Sequence, residues 1–530
     1  MARIPINQLG SIGVVRDIVN QFLPPQAWTN ANNMRMRGDG AVRISGDIQV
    51  FDTPSVAPKW AMGVPGISNE YFWLYSDGAA VHCYNGTAHA DITQAATTYG
   101  ATDVDLWTGT LLGGIPILNN DNDVPQYWPT LDNTVKLADV TAWPAGVSAK
   151  AIRAFGPYLL ALNITKAGSN FPNMVKWSHP ADPGALPISW DHTDETKDAG
   201  EVELTDVYAG GLVDGIPIGN VFVVYKENSA HILRYSNSRF VFQRDPLFPT
   251  TGILSLHCVA EIPVKGQVFL ATGEDIVVHG LQRGEIQSLL DNRNRRTLNA
   301  DIDTVNIKRS FCVSNEREKE MWFCYPEIGE TWPTKALIWN YTDNTITFRD
   351  LEEVSFITNG IIQTAETVDW DSMVGNWDAD PDTWSANLLG AASQNMLMCL
   401  PEVTQMRKVD TGDDFTGMDI DAFIERTDLA VIGVDRRGQP MVDVGVIKLI
   451  NRVWVKARGA PFNVQVGAQE EEGGVIVWSS EELFTPGVDR FVDFFEPVSG
   501  RFIAIRFLSL GGLEWKVEGY DLDLEVLGTF

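Results

Sequence analysis

Short apolar runs separated by turn residues fill most of this chain, and their length limits what it can fold into. Each run is about five to seven residues long, rich in Val, Ile and aromatic residues, and bounded by Gly, Asn, Asp or Ser. Such runs suit β-strands and are too short for helices that bury a stripe of side chains, so the pattern predicts an all-β fold. The clearest runs, several of them in hairpin-like pairs, lie within residues 71–86, 156–163, 221–242, 267–280, 320–325, 336–348 and 395–402.

The spacing of these runs indicates how the strands are grouped. Hairpin groups recur about every 40 to 60 residues between residues 60 and 410, which suits propeller blades of about four strands each. No shared signature, such as a Trp-Asp dipeptide closing each blade, marks the repeats. We therefore predict a β-propeller-like domain with long loop insertions over residues 51–412, and one or two large β-sandwiches remain the alternative.

Helical patterns are scarce, and two long segments look like loops. We expect one helix within residues 281–303 and a short one near residues 364–373. The Pro- and Asp-rich segments 119–129 and 179–201 cannot pair their backbone groups inside a core. We expect both segments on the surface or at subunit contacts.

From about residue 417 the runs become longer and more regular, which predicts a separate C-terminal antiparallel β-sandwich over residues 413–530. Its last strand changes phase. Trp515 and Val517 share one face, and after Gly519 the apolar set, from Tyr520 onward, is one position out of step. An extra residue at a β-bulge would return both sets to the core face.

The charge balance argues against one class of function. Lys and Arg total 40 against 69 Asp and Glu, which gives a formal net charge of −29. So acidic a chain would repel phosphates rather than release their counterions, and tight nucleic-acid binding is not expected. The same charge would suit a surface past which DNA moves without adhering.

Cysteine usage and hydropathy suggest where the chain is made. The five cysteines are odd in number, have no zinc-site spacing and lie partly inside apolar runs, so we expect buried free thiols in a reducing cytoplasm. No secretory signal peptide is evident at the N-terminus, and no run of about 18 apolar residues could span a membrane. The cysteines are Cys83, Cys258, Cys312, Cys324 and Cys399.

Motifs for bond-making chemistry are missing from the sequence. It has no Gly-x-Ser-x-Gly elbow, no phosphate-binding loop, no dinucleotide fingerprint and no His-Glu-x-x-His pair. We therefore predict no catalytic residue, no cofactor and no metal, although two acids from distant loops would leave no trace. The acidic segments 121–123 and 378–382 lack the glycine turn and closing Glu of a calcium loop, so we expect solvated loops. Four histidines in strand-like runs are expected to be hydrogen-bonded fillers: His82, His231, His257 and His279.

Two groups of basic residues stand out against the acidic whole. Arg293, Arg295 and Arg296, with Lys308 and Arg309 nearby, could touch DNA or an acidic neighbour, and we favour salt bridges across a subunit or adaptor interface. A second group recurs along one strand of the sandwich and is expected on its exposed face. That group is Lys448, Arg452 and Lys456.

The opening segment has a distinctive composition. Leu23-Pro24-Pro25 is extended, Trp28 is an apolar anchor for a chain end that must be held, and Gly38-Asp39-Gly40 is a turn leading to a strand over residues 41–44. That strand would be an ordinary first blade strand or the closing strand of a propeller. Residues 6–46, with Leu23 to Trp28, Asn30, Asn33, Met34, Gly38 to Gly40 and Gly46, resemble the start of nozzle-type tail proteins (tail tubular protein B) of short-tailed bacteriophages, the podoviruses.

The resemblance implies an architecture and a role. In that family an N-terminal segment, here residues 1–50 with a first strand, precedes a β-propeller and later β-domains. Six copies would form a ring below the adaptor and portal of the virion tail, near tail fibre or spike proteins, with DNA passing through the centre without tight binding. The protein would be made in the host cytoplasm, and Trp28 and the arginine cluster would lie at a subunit or adaptor interface.

Two other functions stay open at this stage. One is a tail-associated enzyme that degrades polysaccharide, and the other is an adhesin whose terminal sandwich binds sugar.

Overall fold

The computed structural model describes residues 2–66, 70–207, 210–236, 241–263, 265–282, 284–362, 394–434 and 440–529. Within them nearly all regular structure is β-strand, apart from helix α1 (Arg295–Asp301) and the 3₁₀ turns Asn20–Phe22 and Ile307–Arg309. No helix in these residues has the length and apolar character needed to cross a membrane. The predicted all-β fold is confirmed: a β-propeller is joined to a C-terminal β-sandwich.

Five strands precede the propeller blades in the chain. They are β1 (Ala2–Asn7), β2 (Asn30–Asn32), β3 (Met34–Arg37), β4 (Gly40–Arg43) and β5 (Asp47–Val50).

Six consecutive four-stranded sheets follow, and in each of them successive strands pair as antiparallel neighbours. Blade 1 contains β6 (Trp60–Pro65), β7 (Tyr71–Ser76), β8 (Val81–Tyr84) and β9 (His89–Asp91). Blade 2 contains β10 (Thr108–Leu112), β11 (Ile115–Asn119), β12 (Gln126–Tyr127) and β13 (Ala138–Asp139). Blade 3 contains β14 (Val147–Phe155), β15 (Tyr158–Lys166), β16 (Ser169–Trp177) and β17 (Gly200–Glu203).

The next three blades have the same order of strands. Blade 4 contains β18 (Leu212–Ile218), β19 (Val221–Lys226), β20 (Ala230–Tyr235) and β21 (Phe242–Phe248). Blade 5 contains β22 (Val259–Ile262), β23 (Gln267–Ala271), β24 (Ile276–His279) and β25 (Ile286–Ser288). Blade 6 contains β26 (Phe311–Asn315), β27 (Glu320–Tyr325), β28 (Lys335–Asn340) and β29 (Thr345–Asp350).

The seventh blade combines both ends of the propeller. Its first three strands are β30 (Phe356–Gly360), β31 (Asn395–Cys399) and β32 (Met406–Val409), and β5 pairs antiparallel with β32 as the fourth. The closing strand is therefore Asp47–Val50. The strand expected at residues 41–44 forms instead as β4 in the sandwich, where it pairs with β3.

The first strand of each blade faces the propeller axis, and these strands close a ring. β14, β18, β22, β26 and β30 contact one another in sequence, and β30 contacts β6 of blade 1. Blades 1 and 2 approach so closely that a Cβ on Gly109 would lie 2.4 Å from Met62 Sδ. The described residues thus form a closed propeller of seven blades.

The remaining C-terminal strands form the sandwich, except for a first pair that extends blade 7 and a later pair that forms a separate short hairpin. They are β33 (Asp414–Phe415), β34 (Met418–Asp419), β35 (Phe423–Leu429), β36 (Val431–Val434), β37 (Pro440–Val442), β38 (Val446–Gly459), β39 (Phe462–Gln469), β40 (Val477–Trp478), β41 (Glu482–Phe484), β42 (Phe491–Gly500), β43 (Phe502–Ser509) and β44 (Trp515–Thr529). One sheet has the order β3-β4-β44-β38-β42 with β1 beside β44, and the other has the order β2-β35-β43-β39-β40 with β41 beside β39.

Aromatic side chains join the two sheets. The rings of Phe507 and Tyr520 lie 5.7 Å apart, and those of Phe462 and Trp515 lie 4.8 Å apart and stacked. Because the members of each pair come from opposite sheets, they form the centre of the sandwich core.

The N-terminal segment is more than an extended lead into the propeller. β1, β3 and β4 lie in one sheet of the sandwich and β2 lies in the other, so both sheets combine the beginning and the end of the chain. The chain crosses into the propeller at Gly46, whose N–H donates to Gly412 O at 2.8 Å. The boundary expected at residue 50 is therefore revised to residue 46, beside the point where the chain returns near residue 412.

The expected bulge in the last strand is confirmed. Lys456 pairs with Gly519 and Ala457 pairs with Val517, so the pairing skips one residue at Glu518. Trp515, Val517 and Tyr520 are all buried as a result.

A second irregularity overturns the expectation for Lys448. The register of β38 against β44 shifts between Ile450 and Arg452, which places Lys448 and Ile450 on the core face. Lys448 is 0% exposed, and its ammonium donates to three backbone carbonyls, including those of Asp443 at 2.8 Å and Val446 at 3.0 Å. Burial lowers the pKa of Lys448 to about 8.

The helix expected over residues 281–303 is mostly wrong. Ile286–Ser288 pairs with β24 as the outer strand of blade 5, and only Arg295–Asp301 is helical. Apolar residues at positions 286, 289 and 290 fit the spacing of a helix as well as that of a strand. Blade 5 needs a fourth strand, and the segment forms that strand. The helix expected near residues 364–373 lies outside the described residues.

A buried ion network joins the sandwich to the propeller. Arg35 of β3 binds Glu320 of blade 6, with Nε 2.5 Å from Oε1, and also binds Asp410 at 2.9 Å. Arg349 of β29 binds Asp410 at 2.7 Å and Asp47 of the closing strand at 2.6 Å. Because these side chains are shielded from water, each depends on its partners for charge stabilisation.

We expect Arg349→Met to weaken the fold strongly, because it leaves Asp47 and Asp410 buried with one cation fewer. The expected loss is about 3–5 kcal/mol in the free energy of unfolding, measured by denaturant titration. The matched control is Arg452→Met, which breaks a partly exposed pair with Asp493 and should cost far less. Equal losses in the two variants would contradict the assignment.

Candidate functional site

Polar side chains from several blades meet on the propeller axis. Arg153 lies on the first strand of blade 3 and Asp214 on that of blade 4, while His257 and Trp107 immediately precede the first strands of blades 5 and 2. Blades 2 and 5 stand on opposite sides of a seven-membered ring. The 3.1 Å hydrogen bond between His257 Nε2 and Trp107 O therefore spans the axis.

The Asp214 carboxylate is fully engaged in this axial cluster of Trp107, Arg153, Asp214 and His257. Arg153 binds it in a fork, with Nε 2.9 Å from Oδ1 and Nη2 2.8 Å from Oδ2. The backbone N–H groups of Gly215 and His257 donate to the same two oxygens. Burial opposes ionisation of Asp214, but Arg153 more than offsets it and lowers the pKa. An anion with four donors is held in place and is poorly suited to act as a base or nucleophile.

His257 is held neutral. Burial lowers its pKa to about 4, and the nearby Arg153 cation acts in the same direction. Its Nε2 faces a carbonyl, which can only accept, so Nε2 carries the proton. Phe356 of blade 7 packs edge-on against the imidazole with ring centroids 4.8 Å apart. The cluster therefore links four blades and fills the axis at this level.

The structure places Trp28 inside the protomer. It is 1% exposed, its indole N–H donates to Leu9 O at 2.7 Å, and its ring packs edge-on against Phe507. The interpretation as an anchor for the chain end is correct, and the assignment of Trp28 to a subunit or adaptor interface is wrong because the side chain is not available at the surface.

The arginine cluster fastens the N-terminal segment to the propeller. The carbonyl of Arg293 accepts the N–H groups of Arg16 and Asp17 at 2.9 and 2.8 Å. Asp17 in turn accepts the backbone N–H of Arg296 at 2.6 Å and that of Thr297 at 3.2 Å, and so caps the first turn of α1.

The side chains of the cluster differ in availability. Arg293 donates to Asn344 O, and Arg295 binds Asp291 at 2.7 Å and also Asp275. The guanidinium of Arg296 is exposed and makes no ion pair within the part of the chain that the structure describes. Arg296 is therefore the member best placed to meet another molecule.

The other sequence candidates have structural explanations. Asp123 bonds Gly100 N at 2.7 Å and Asn120 Nδ2 at 2.9 Å, which ties one loop to another. His279 bonds Tyr225 OH at 2.8 Å and Gly280 O at 2.9 Å, as expected of a filler, whereas His82 stacks on Tyr75. The acidic segment 378–382 lies outside the described residues.

The cysteines are buried and unpaired, as expected. Burial raises the pKa of Cys83 to about 12, so its thiol stays protonated. Across the described ranges, no three His, Cys, Asp or Glu side chains are grouped to hold a metal ion.

A cavity of about 520 Å³ beside blade 4 is lined by Asp206 and His231, and the buried Ser229 contacts Asp206. The sequence indicated His231 only as a filler and gave no signal for Asp206 or Ser229. His231 Nε2 lies 2.8 Å from Asp206 Oδ1, and Ser229 donates to the other oxygen of the same carboxylate. Because both bind the acid rather than each other, the imidazole is not placed to take a proton from the serine. Residues so far apart in the sequence gave no local signal.

Exposed apolar side chains are concentrated on the sandwich and its N-terminal strands. Fourteen of the 23 large hydrophobic side chains exposed in the described residues lie there or in the segments that join these strands, although this unit is much smaller than the propeller. Exposed apolar side chains that lie side by side in a patch are typical of surfaces that associate with other molecules. The fourteen are Val19, Phe22, Met441, Val442, Val444, Val475, Val477, Leu483, Val488, Phe495, Leu510, Leu513, Val526 and Leu527.

The strand pairing defines the class: a seven-bladed β-propeller whose chain ends share a β-sandwich. No protein-family model matches the sequence, and the comparison with curated proteins gives no match.

Solved structures similar to this chain are propellers or contain them. The WD40 β-propeller domain of Doa1 gives a TM-score of 0.38 at 7% identity, over 69% of this chain and 96% of that one. YCF48 bound to D1 peptide gives 0.35 at 11% identity, over 69% and 98%. PorZ, a surface component of the type-IX secretion system of Porphyromonas gingivalis, gives 0.34 at 10% identity, over 73% and 42%. Scores this low carry no argument, and the fold rests on the strand pairing itself.

The low pKa of His257 predicts how stability changes with pH. Because the folded protein resists protonation of His257, the contribution of its neutral form is complete above the unfolded pKa of about 6.5 and is lost as the pH falls from there to about 4. We expect His257→Gln, which retains a donor for Trp107 O, to reduce this loss of stability. The measurement is the difference in melting temperature between pH 7 and pH 4.5. His192→Gln, on an exposed loop, is the control: it leaves His257 in place and should retain most of the loss seen in the wild type. A variant at His257 with an unchanged pH response would refute the assignment.

Proposed function

We propose that the chain is a structural subunit of a podovirus tail nozzle, six copies of which form a ring below the adaptor. The proposal starts from the resemblance of residues 6–46 and is supported by the architecture. The segment that carries the resemblance supplies strands to both sheets of the sandwich, and the closing strand of the propeller follows it directly. Its residues thus serve the assembly of the subunit.

The exposed apolar side chains of the sandwich are the observation that carries the proposal. A monomer gains nothing from leaving Phe495 87% exposed and Val475 89% exposed on one domain. Burial of such side chains against other subunits would supply about 25 cal/mol per Å² of apolar surface. A ring needs two different surfaces on each subunit, because a head-to-tail contact repeats until it closes.

The axial cluster bears on the path of DNA. Its hydrogen bond from His257 to Trp107 leaves no opening at this level for a duplex, whose major groove alone is about 12 Å wide. DNA would therefore pass through the centre of the ring, between subunits, and not along a propeller axis. The formal net charge of −29 would keep phosphates from adhering to that passage.

Assembly tests the proposal directly. Native mass spectrometry of purified virion tails, and of the protein mixed with its adaptor, should show a species of six copies. A protein that remains monomeric with the adaptor present would contradict the proposal.

Polar substitutions on the sandwich should reduce ring assembly. We expect a loss of hexamer from Leu510→Ser with Leu513→Ser, or from Val477→Ser with Leu483→Ser, because each pair removes exposed apolar area without touching the core. The yield of rings is counted by electron microscopy after mixing with adaptor.

The matched control for these variants lies on the propeller. Val305 and Ile328 are 84% and 68% exposed, and Val305→Ser with Ile328→Ser should leave assembly unchanged. If neither sandwich pair reduces the yield of rings, or if the propeller pair reduces it more, the sandwich is not the assembly surface.

A further inference from the structure

A cavity of about 360 Å³ opens on blade 3, next to blade 2. Its walls come from the ends of β14 and β15, from β16, and from the long loop that precedes β17. The volume falls in the range of about 300–1,000 Å³ typical of small-molecule sites. Neither the axial cluster nor the exposed apolar residues of the sandwich use this cavity.

Three nitrogen atoms converge on a single carboxylate oxygen at this cavity. Glu201 Oε2 lies 2.7 Å from Lys166 Nζ, 3.3 Å from Lys176 Nζ and 3.5 Å from His192 Nδ1. Two ammonium groups thus share one carboxylate, and Lys176 is 3% exposed. Among Lys166, Lys176 and Glu201 the cations exceed the anions by one, and the next carboxylate, Asp191, is exposed at the mouth of the cavity, so a second anion at the inner end would balance the charge.

The cavity wall also has hydrogen-bond donors to spare. An ammonium group has three N–H donors, and within the described residues that of Lys176 donates to Glu201 alone. Trp190, 1% exposed, lines the cavity, and its indole N–H has no partner. The neighbouring Trp143, packed edge-on against it, donates to Val147 O at 2.8 Å. An unpaired buried donor is costly unless an acceptor oxygen occupies the space beside it.

The mouth of the cavity has a different character. Ile188 is 65% exposed there, and Asp191, whose Oδ1 accepts from Thr193, leaves its other oxygen open to solvent. A ligand that entered with an anionic group foremost would leave its hydroxyl groups beside Asp191 and its C–H face against Ile188. Sugar acids combine these three features in one ring.

We propose that the cavity on blade 3 binds a hexuronate residue of an acidic polysaccharide, with the sugar carboxylate directed at Lys166, Lys176 and the Trp190 N–H. Recognition is by charge-assisted hydrogen bonds, and no bond is broken. The site is independent of ring formation, because the cavity is complete within one chain.

Matched ligands test the charge and the sugar separately. Isothermal titration of the wild-type protein with sodium glucuronate, glucose and sodium acetate should show saturable binding of glucuronate, about tenfold or more tighter than that of either other compound. Glucose shares the ring without the carboxylate, and acetate shares the carboxylate without the ring. Failure of glucuronate to bind, or binding no tighter than that of glucose or acetate, overturns the proposal.

Variants locate the binding. Lys166→Met should weaken glucuronate binding about tenfold or more, whereas Lys136→Met, a 46% exposed lysine on the loop after β12, should leave it unchanged. Trp190→Phe keeps the aromatic packing and removes the N–H, so it should also weaken binding. Melting temperatures identify any variant that fails to fold. Unchanged binding in folded Lys166→Met overturns the assignment to this cavity.

Discussion

Closure of the seventh blade by a strand from the opposite end of the chain is the constraint on which the rest of the structure depends. β5 must reach β32 across more than 350 intervening residues, and a strand pair of four residues is weak by itself. The buried pairs of Arg349 with Asp47 and Asp410 hold that strand in register, and Arg35 extends the network into the sandwich. Closure of the propeller and attachment of the sandwich thus depend on the same buried ion pairs.

This coupling explains why the N-terminal segment is built as it is. Once β5 is committed to blade 7, the residues before it emerge beside the returning chain at residues 411–414, and their apolar positions have the sandwich as the nearest core. Trp28 fills that core, while Asp17 and Arg293 fasten the segment to α1. Arginines expected to meet another subunit are largely used within the protomer.

The local sequence pattern predicted those features of the fold that are decided within a single strand or turn. The length of the runs and the turn residues between them predicted the strands and the sandwich. The phase change at Gly519 predicted the bulge, because alternation within one strand indicates which face is buried. The pattern failed where a distant partner decides. The alternation along β38 predicts an exposed Lys448, but a register shift against β44 turns that side chain into the core. The closing strand is β5 and not residues 41–44, because the pairing with β32 selects it. The axial cluster left no local signal, since its members come from separate blades.

The buried polar groups of the subunit can be compared by how completely they are paired. Asp214 has four donors, the Lys448 ammonium has three acceptors, and the Arg35–Arg349 network alternates cations with anions, so each of these satisfies its own charge, although Arg349 Nε has no hydrogen-bond partner. The Lys166–Glu201–Lys176 group does not, because two cations share one oxygen and an indole N–H beside them is unpaired. Buried groups that leave donors and charge unsatisfied are costly to fold, and binding of an anion would recover that cost. At the propeller axis the Trp107 indole N–H is also unpaired, but the charges of Arg153 and Asp214 balance there. The unbalanced charge therefore favours the rim of blade 3 as the place where this protein recognises a small anionic ligand.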